Sequence, residues 1–201
     1  MPTSYVNGSR TAGLETSMSA EVLLTSFDCV VFDREAVYAS SEFTTGKRFY
    51  ELCRAFKVFS KDDLKEALGE QRYRAEWAEL LLANKEEGLA FARKIRGWGI
   101  PLVISPNPLV VPGWTQEEYL DLWVKVITEK CHAVYFNDGW EFSNGCTYEY
   151  LKTTRHHLPA YDSNGKELPV HEARRLIKNA VEYLQGDGFN VPELDGIWKQ
   201  L

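Results

Sequence analysis

Seven consecutive residues, Ser143-Asn144-Gly145-Cys146-Thr147-Tyr148-Glu149, set a hydroxyl, a glycine and a carboxylate at a spacing suited to chemistry at a helix start. Ser143 can cap such a helix and join its free N–H groups in holding an anion. Gly145 lets a ligand come close to the backbone. Glu149 follows a little over one turn further in, where its carboxylate can point back toward the helix start. The plainer reading of the same residues is an N-cap and a solvated glutamate.

Other groups lie within reach in the sequence. Asp138 and Glu141 are acids just before the seven-residue segment, and as loop residues they are as well suited to solvent as to catalysis. Phe43, Trp114, Trp140 and Phe142 can pack as core or lid, and as a set they suit an aromatic ligand. Thr44-Thr45-Gly46-Lys47-Arg48 lacks the full G-x-x-x-x-G-K-[ST] pattern, yet it can place Lys47 or Arg48 as an anion clamp. His156 and His157 diverge on a helix, and His132 and His171 sit elsewhere, so no zinc site is expected. No cofactor is expected either.

These residues need elements to position them. Residues 1–16 read as a loose polar tail, followed by a short helix over 14–24. Two β-rich runs, 29–32 and 36–40, flank the charged trio Asp33-Arg34-Glu35. Residues 47–96 are helical in pattern, with a start at Ser60 and a last helix over 77–96 that stops at Gly97-Trp98-Gly99. The continuously apolar run 100–105 reads as a buried parallel strand. Thr115 caps a helix reaching 130, residues 132–136 form a second buried strand, and a helix from Ser143 or Asn144 runs to 156. A weaker strand over 158–161, a helix over 170–185 and a Gly/Pro-rich tail complete the chain.

Alternating strands and helices predict an α/β fold, an open parallel sheet with helices on both faces in the flavodoxin or Rossmann manner. One α/β domain is expected over 17–201, with residues 47–80 inserted as helices after the first core strand. Ligands of such sheets bind beyond the carboxyl ends of the strands. That rule selects the loops 40–47, 106–114 and 137–145, and with them Ser40 and Pro106.

Composition narrows the function classes. A chain of 201 residues, 44% hydrophobic and 26% charged, can bury a sizeable core. Its net charge of −6 argues against general nucleic-acid binding. No apolar run is long enough to cross a membrane, and the N-terminus lacks a signal-peptide core. Four scattered cysteines without C-x-x-C spacing fit a reducing, cytoplasmic setting without disulfides.

Four segments taken in order resemble a known family. Val37-Tyr38-Ala39-Ser40, Val103-Ile104-Ser105-Pro106, Ala133-Val134-Tyr135-Phe136 and Ser143-x-Gly145-x-x-x-Glu149 are similar to the nucleoside 2-deoxyribosyltransferase-like superfamily, which includes nucleoside 5′-monophosphate N-glycosidases. The likeness covers about residues 36–155. It implies that Glu149 is a nucleophile that attacks the anomeric carbon and forms a glycosyl ester. It implies that Tyr38 orients that carboxylate and that Ser143 contacts a 5′-phosphate. It also implies a homo-oligomer, since relatives complete their sites across subunits.

Two positions depart from the family pattern. Cys131 stands where an aspartate opens the third strand. Eight residues upstream, where the family has a helix aspartate, this chain has Trp123, and Asp121 could serve only with a shifted helix. The leading expectation is therefore an N-glycosidase or deoxyribosyltransferase-like enzyme acting on a nucleoside or nucleotide, with Asp138 as a possible acid. The rivals are a non-catalytic nucleotide-binding sensor on the same fold, and an interaction protein presenting an apolar stripe of Phe49, Leu52 and Phe56.

Overall fold

The computed structural model describes residues 9–31 and 35–201, with side chains from residue 20 onward. In chain order the elements are α1 (Ser9–Val30), β1 (Ala36–Ser40), α2 (Lys47–Ala55), α3 (Lys61–Gly97), β2 (Val103–Ile104), α4 (Gln116–Lys130), β3 (Cys131–Phe136), α5 (Asn144–Arg155), β4 (Ala160–Tyr161), α6 (Val170–Gly186) and α7 (Pro192–Trp198). A 3₁₀ turn, Trp140–Phe142, bridges β3 and α5.

All five residues of β1 are buried, as a strand covered on both faces requires. The four strands are parallel and lie in the order β2-β1-β3-β4. Side-chain alternation divides the core between the two faces. Val37, Ala39, Val103 and Ala133 meet Phe91, Ala92 and Ile95 of α3. Tyr38, Ile104, Val134 and Phe136 point the other way, into a larger cluster with Leu122, Trp123 and Ile127 of α4 and Tyr150 of α5. Tyr38 and Ser40 thus share the face that α5 covers.

Helix ends follow their local signals. Thr115 and Glu118 form a reciprocal capping box at α4. Ser60 accepts a hydrogen bond from the Asp63 N–H at 3.0 Å and starts α3. Gly69, at φ 70° and ψ 160°, breaks the regular helix inside α3, so the helix expected over 77–96 begins well upstream. The segment 47–80 contributes Phe49, Tyr50, Cys53, Leu64 and Tyr73 to the same core cluster as Tyr38. Phe49 is buried, and Leu52 and Phe56 pack against that cluster, so the stripe they form faces the protein.

Four expectations need correction. The helix expected over 14–24 is α1, which takes in residues 9–16 of the expected tail and residues 29–30 of the expected strand run. The Val31 N–H still donates to the Phe27 carbonyl at 2.8 Å, and Leu23, Leu24 and Phe27 pack on the core. Tertiary anchoring outweighs the β-propensity of the Cys29-Val30-Val31 run. Residues 1–8 and 32–34 lie outside the described residues.

The strand expected over 100–105 shrinks to Val103–Ile104, because Pro101 and Pro106 donate no ladder hydrogen bonds and β2 sits at the sheet edge. The strand expected over 158–161 likewise shortens to the edge pair Ala160–Tyr161. The Gly/Pro-rich tail contains α7, where Pro192 occupies the first turn and Leu194 and Ile197 are buried.

Candidate functional site

The Ser143 hydroxyl accepts from the Cys146 N–H at 3.4 Å and caps α5. Thr147 and Thr153 donate their hydroxyls to the carbonyls of Ser143 and Glu149, at 2.8 and 2.7 Å. These bonds fix a short helix whose buried side carries Glu149, only 5% exposed. From β1, the Tyr38 hydroxyl donates to Glu149 Oε1 at 2.8 Å and the Ser40 hydroxyl donates to Oε2 at 2.6 Å. Positions i and i+2 of one strand therefore hold both oxygens of one carboxylate.

Burial pushes the Glu149 carboxyl up to about 7, against the lowering influence of the Ser40 and Tyr38 hydrogen bonds. Tyr38 is raised well above the usual phenol range, first by burial and then by the charge of Glu149. Two hydroxyl donors thus hold in place a carboxyl that burial drives toward its protonated form.

Glu149 faces a cavity of about 300 Å³ at the carboxyl ends of β1 and β3. Phe43, Trp114, Tyr119 and Trp123 give it aromatic walls, and Leu109 and Leu120 also line it. The ring of Trp123 lies 6.0 Å from that of Tyr38, and Trp114 meets Tyr119 edge-on at 5.1 Å. Ser41, Thr44, Thr45, Gln116, Ser143 and Lys61 supply the polar part of the lining. All three loops selected from the sequence contribute lining residues: 40–47, 106–114 and 137–145.

Asn107 ties two of those loops together. Its Oδ1 accepts from the Ser41 hydroxyl at 2.7 Å and from the Ser105 hydroxyl at 3.2 Å. Its amide donates to the carbonyls of Glu42 and Asn84, at 3.3 and 3.4 Å. Asn84 in turn donates to the Phe43 carbonyl at 2.8 Å. A Cβ on Gly88 would fall 2.4 Å from Asn107 Oδ1 and 2.5 Å from Ser41 Oγ, so α3 needs glycine there to approach the loops. No sequence pattern marks Asn84 or Gly88, and Asn107 falls in the selected loop 106–114 without a role of its own. The one available signal was a lone glycine inside a helical run.

A second pocket, of about 350 Å³, lies beside the first. Glu42, Lys47, Arg48, Glu87, Asp138 and Glu141 line it. Arg48 pairs with Glu87, and the Glu42 carboxylate accepts from the Lys47 N–H at 2.9 Å. Burial pushes Glu42 up to about 7, and the backbone N–H of Lys47 opposes it.

The residues expected at the site thus separate. Glu149, Ser143, Gly145 and Pro106 line the first cavity, and Tyr38 and Ser40 hold Glu149 from behind it. Asn144 donates its N–H to the Thr45 hydroxyl at 3.2 Å, while its buried side-chain oxygen has no hydrogen-bond partner among the described residues. Trp140 is buried against Phe136 and Tyr150 rather than in the cavity wall. Asp121 is exposed on α4, where Trp123 takes the inward position. Lys47 and Asp138 border the second pocket, and Asp138 accepts a hydrogen bond from Ser163.

Among the described residues, no group of three or more His, Cys, Asp or Glu side chains is placed to hold a metal ion. Among the same residues, no helix is long and apolar enough to cross a membrane. Compared with models of protein families, with curated proteins and with solved structures, the chain finds no significant match. Fold and site together define an α/β protein with a parallel sheet and a buried carboxylate, doubly hydrogen-bonded, at the floor of an aromatic-walled cavity.

Proposed function

We propose that the protein is an N-glycosidase or deoxyribosyltransferase-like enzyme that cleaves the N-glycosidic bond of a nucleoside or nucleotide through Glu149. The observation that carries this reading is the pair of hydrogen bonds from Tyr38 and Ser40, which orient both oxygens of a carboxylate that faces a cavity. A carboxylate held this way suits attack on an anomeric carbon, and its charge stabilises an oxocarbenium-like transition state. The strand order supports a flavodoxin-like sheet, whose ligands bind where successive connections leave β1 on opposite sides.

In this mechanism a Glu149 oxygen forms a bond to the anomeric carbon while the bond to the base nitrogen breaks and its electron pair leaves on that nitrogen. Water or a ring nitrogen of a second base then attacks the anomeric carbon, Glu149 departs as carboxylate, and the proton of the attacking group passes to the released base or to solvent, giving hydrolysis or transfer. Tyr38 and Ser40 act as positioning residues. The aromatic walls receive the base. Ser143 and the start of α5 receive the far end of the sugar, including a 5′-phosphate where one is present.

The second reading is a nucleotide-binding sensor, favoured by Trp123 lining the cavity at the position where the resembling family carries an aspartate. One experiment separates the two. The full chain is incubated with nucleosides and 5′-monophosphates, and released base is quantified by chromatography. The enzyme reading expects release that is lost in Glu149→Gln while the circular dichroism spectrum is retained. A nucleotide that raises Tm without any base release would establish the sensor instead.

A further inference from the structure

Glu149 is the one carboxylate among the described residues that line its cavity. The other ionisable lining residues are Lys61, Tyr119 and Cys146. Lys61 is exposed, with its ammonium 4.4 Å from the centre of the Trp77 ring. The Tyr119 hydroxyl is committed on both sides, accepting from the Val111 N–H at 2.5 Å and donating to the Val111 carbonyl at 3.0 Å. The Cys146 thiol is buried, and burial raises its pKa far above the usual thiol range. Asp138 and Glu141 open into the neighbouring pocket.

Cleavage of an N-glycosidic bond leaves the bonding pair on the ring nitrogen. A neutral purine or pyrimidine then departs as an anion unless a donor protonates it, and an apolar wall makes that anion costly. A pyridinium ring departs neutral. Its positive charge and the negative charge of Glu149 are both consumed in the same step, as the carboxylate becomes an ester and the ring becomes a pyridine.

The geometry points to N-glycosides with a cationic aromatic leaving group, a pyridinium, as the substrate class of this cavity in preference to neutral nucleosides. This rests on the proposed glycosidase reading. The aromatic lining of Trp114, Trp123, Phe43 and Tyr119 suits a cationic ring. A cation beside Glu149 also favours the ionised carboxylate that burial disfavours. In the first step a Glu149 oxygen bonds to the anomeric carbon and the C–N pair leaves on the pyridine nitrogen. Water then attacks that carbon, Glu149 departs as carboxylate, and the proton of the water passes to solvent.

The test uses the full chain with nicotinamide riboside and nicotinamide mononucleotide, beside inosine, thymidine, deoxyadenosine and their 5′-monophosphates. Each kcat/KM is divided by the rate of spontaneous hydrolysis of the same compound, because pyridinium glycosides are intrinsically labile. The expected result is a normalised preference of about tenfold or more for the pyridinium compounds, abolished in Glu149→Gln. Neutral nucleosides cleaved with equal or greater normalised efficiency would overturn this inference and leave the glycosidase reading standing. Failure to cleave any compound would overturn both.

Discussion

Tyr38 and Glu149, 111 residues apart in the chain, meet in a 2.8 Å hydrogen bond. The contact exists because β1 and β3 are neighbours, which brings the helix that follows β3 over the strand that carries Tyr38. Ser40, two residues on, holds the other oxygen. The carboxylate is thereby fixed by the order of the sheet rather than by any local motif.

Tyr38→Phe removes the donor at Oε1 and one of the two influences that lower the Glu149 pKa. The pH at which base release reaches half its plateau should rise by about 1 unit from its wild-type value near 7. At neutral pH, kcat should fall about 10- to 100-fold, with KM changed little. A pH–rate profile measures both. An unchanged midpoint with full activity would remove Tyr38 from the mechanism.

Buried Glu149 also links stability to pH. In the folded protein its pKa is about 7, above the ordinary carboxylate value of 4.5. Between those values the folded state binds more protons than the unfolded chain, so stability falls as pH rises through this window. Above it, the ionised carboxylate costs on the order of 3 kcal/mol. Glu149→Gln should therefore raise Tm relative to wild type at about pH 8 and lose most of that advantage near pH 5. Thermal melts across this range check the sign, and a variant less stable than wild type at high pH would contradict it.

The approach of α3 to the loops depends on Gly88, where an added Cβ would lie 2.4 Å from Asn107 Oδ1. Gly88→Ala must push Asn107 and Ser41 aside. It should cost about 1–3 kcal/mol and reduce base release by disturbing the loops that line the cavity. Gly97→Ala, with nothing within 4 Å of the new Cβ, should be neutral or mildly stabilising. Denaturant melts of the two variants provide the comparison, and equal stabilities would mean that the close approach has no energetic weight.

The junction of β3 and α5 is legible in sequence because its signals are local. An apolar run, an Asn-Asp-Gly turn and a capping serine are each read within a few residues. The same holds for α4 with its capping box. Cys29-Val30-Val31 misleads because β-branched residues can end a helix when Leu23, Leu24 and Phe27 anchor it to the core. The roles of Asn84, Gly88 and Asn107 are invisible to pattern, although Asn107 lies in a selected loop, since they arise only where α3 crosses two loops. Asp121 and Trp123 show the helical version of this limit: two positions on one helix point in different directions, and the inward one is aromatic.

Turnover through Glu149 requires this carboxylate to become covalently attached to the sugar. Its most direct test is mass spectrometry of the acid-quenched protein, after reaction with the best cleaved compound or its slow 2-deoxy-2-fluoro sugar analogue. The expected result is a mass gain equal to the glycosyl group, mapped by peptide digestion to Glu149 and absent in Glu149→Gln. Base release without any adduct on Glu149, or an adduct on another residue that persists in Glu149→Gln, would contradict it.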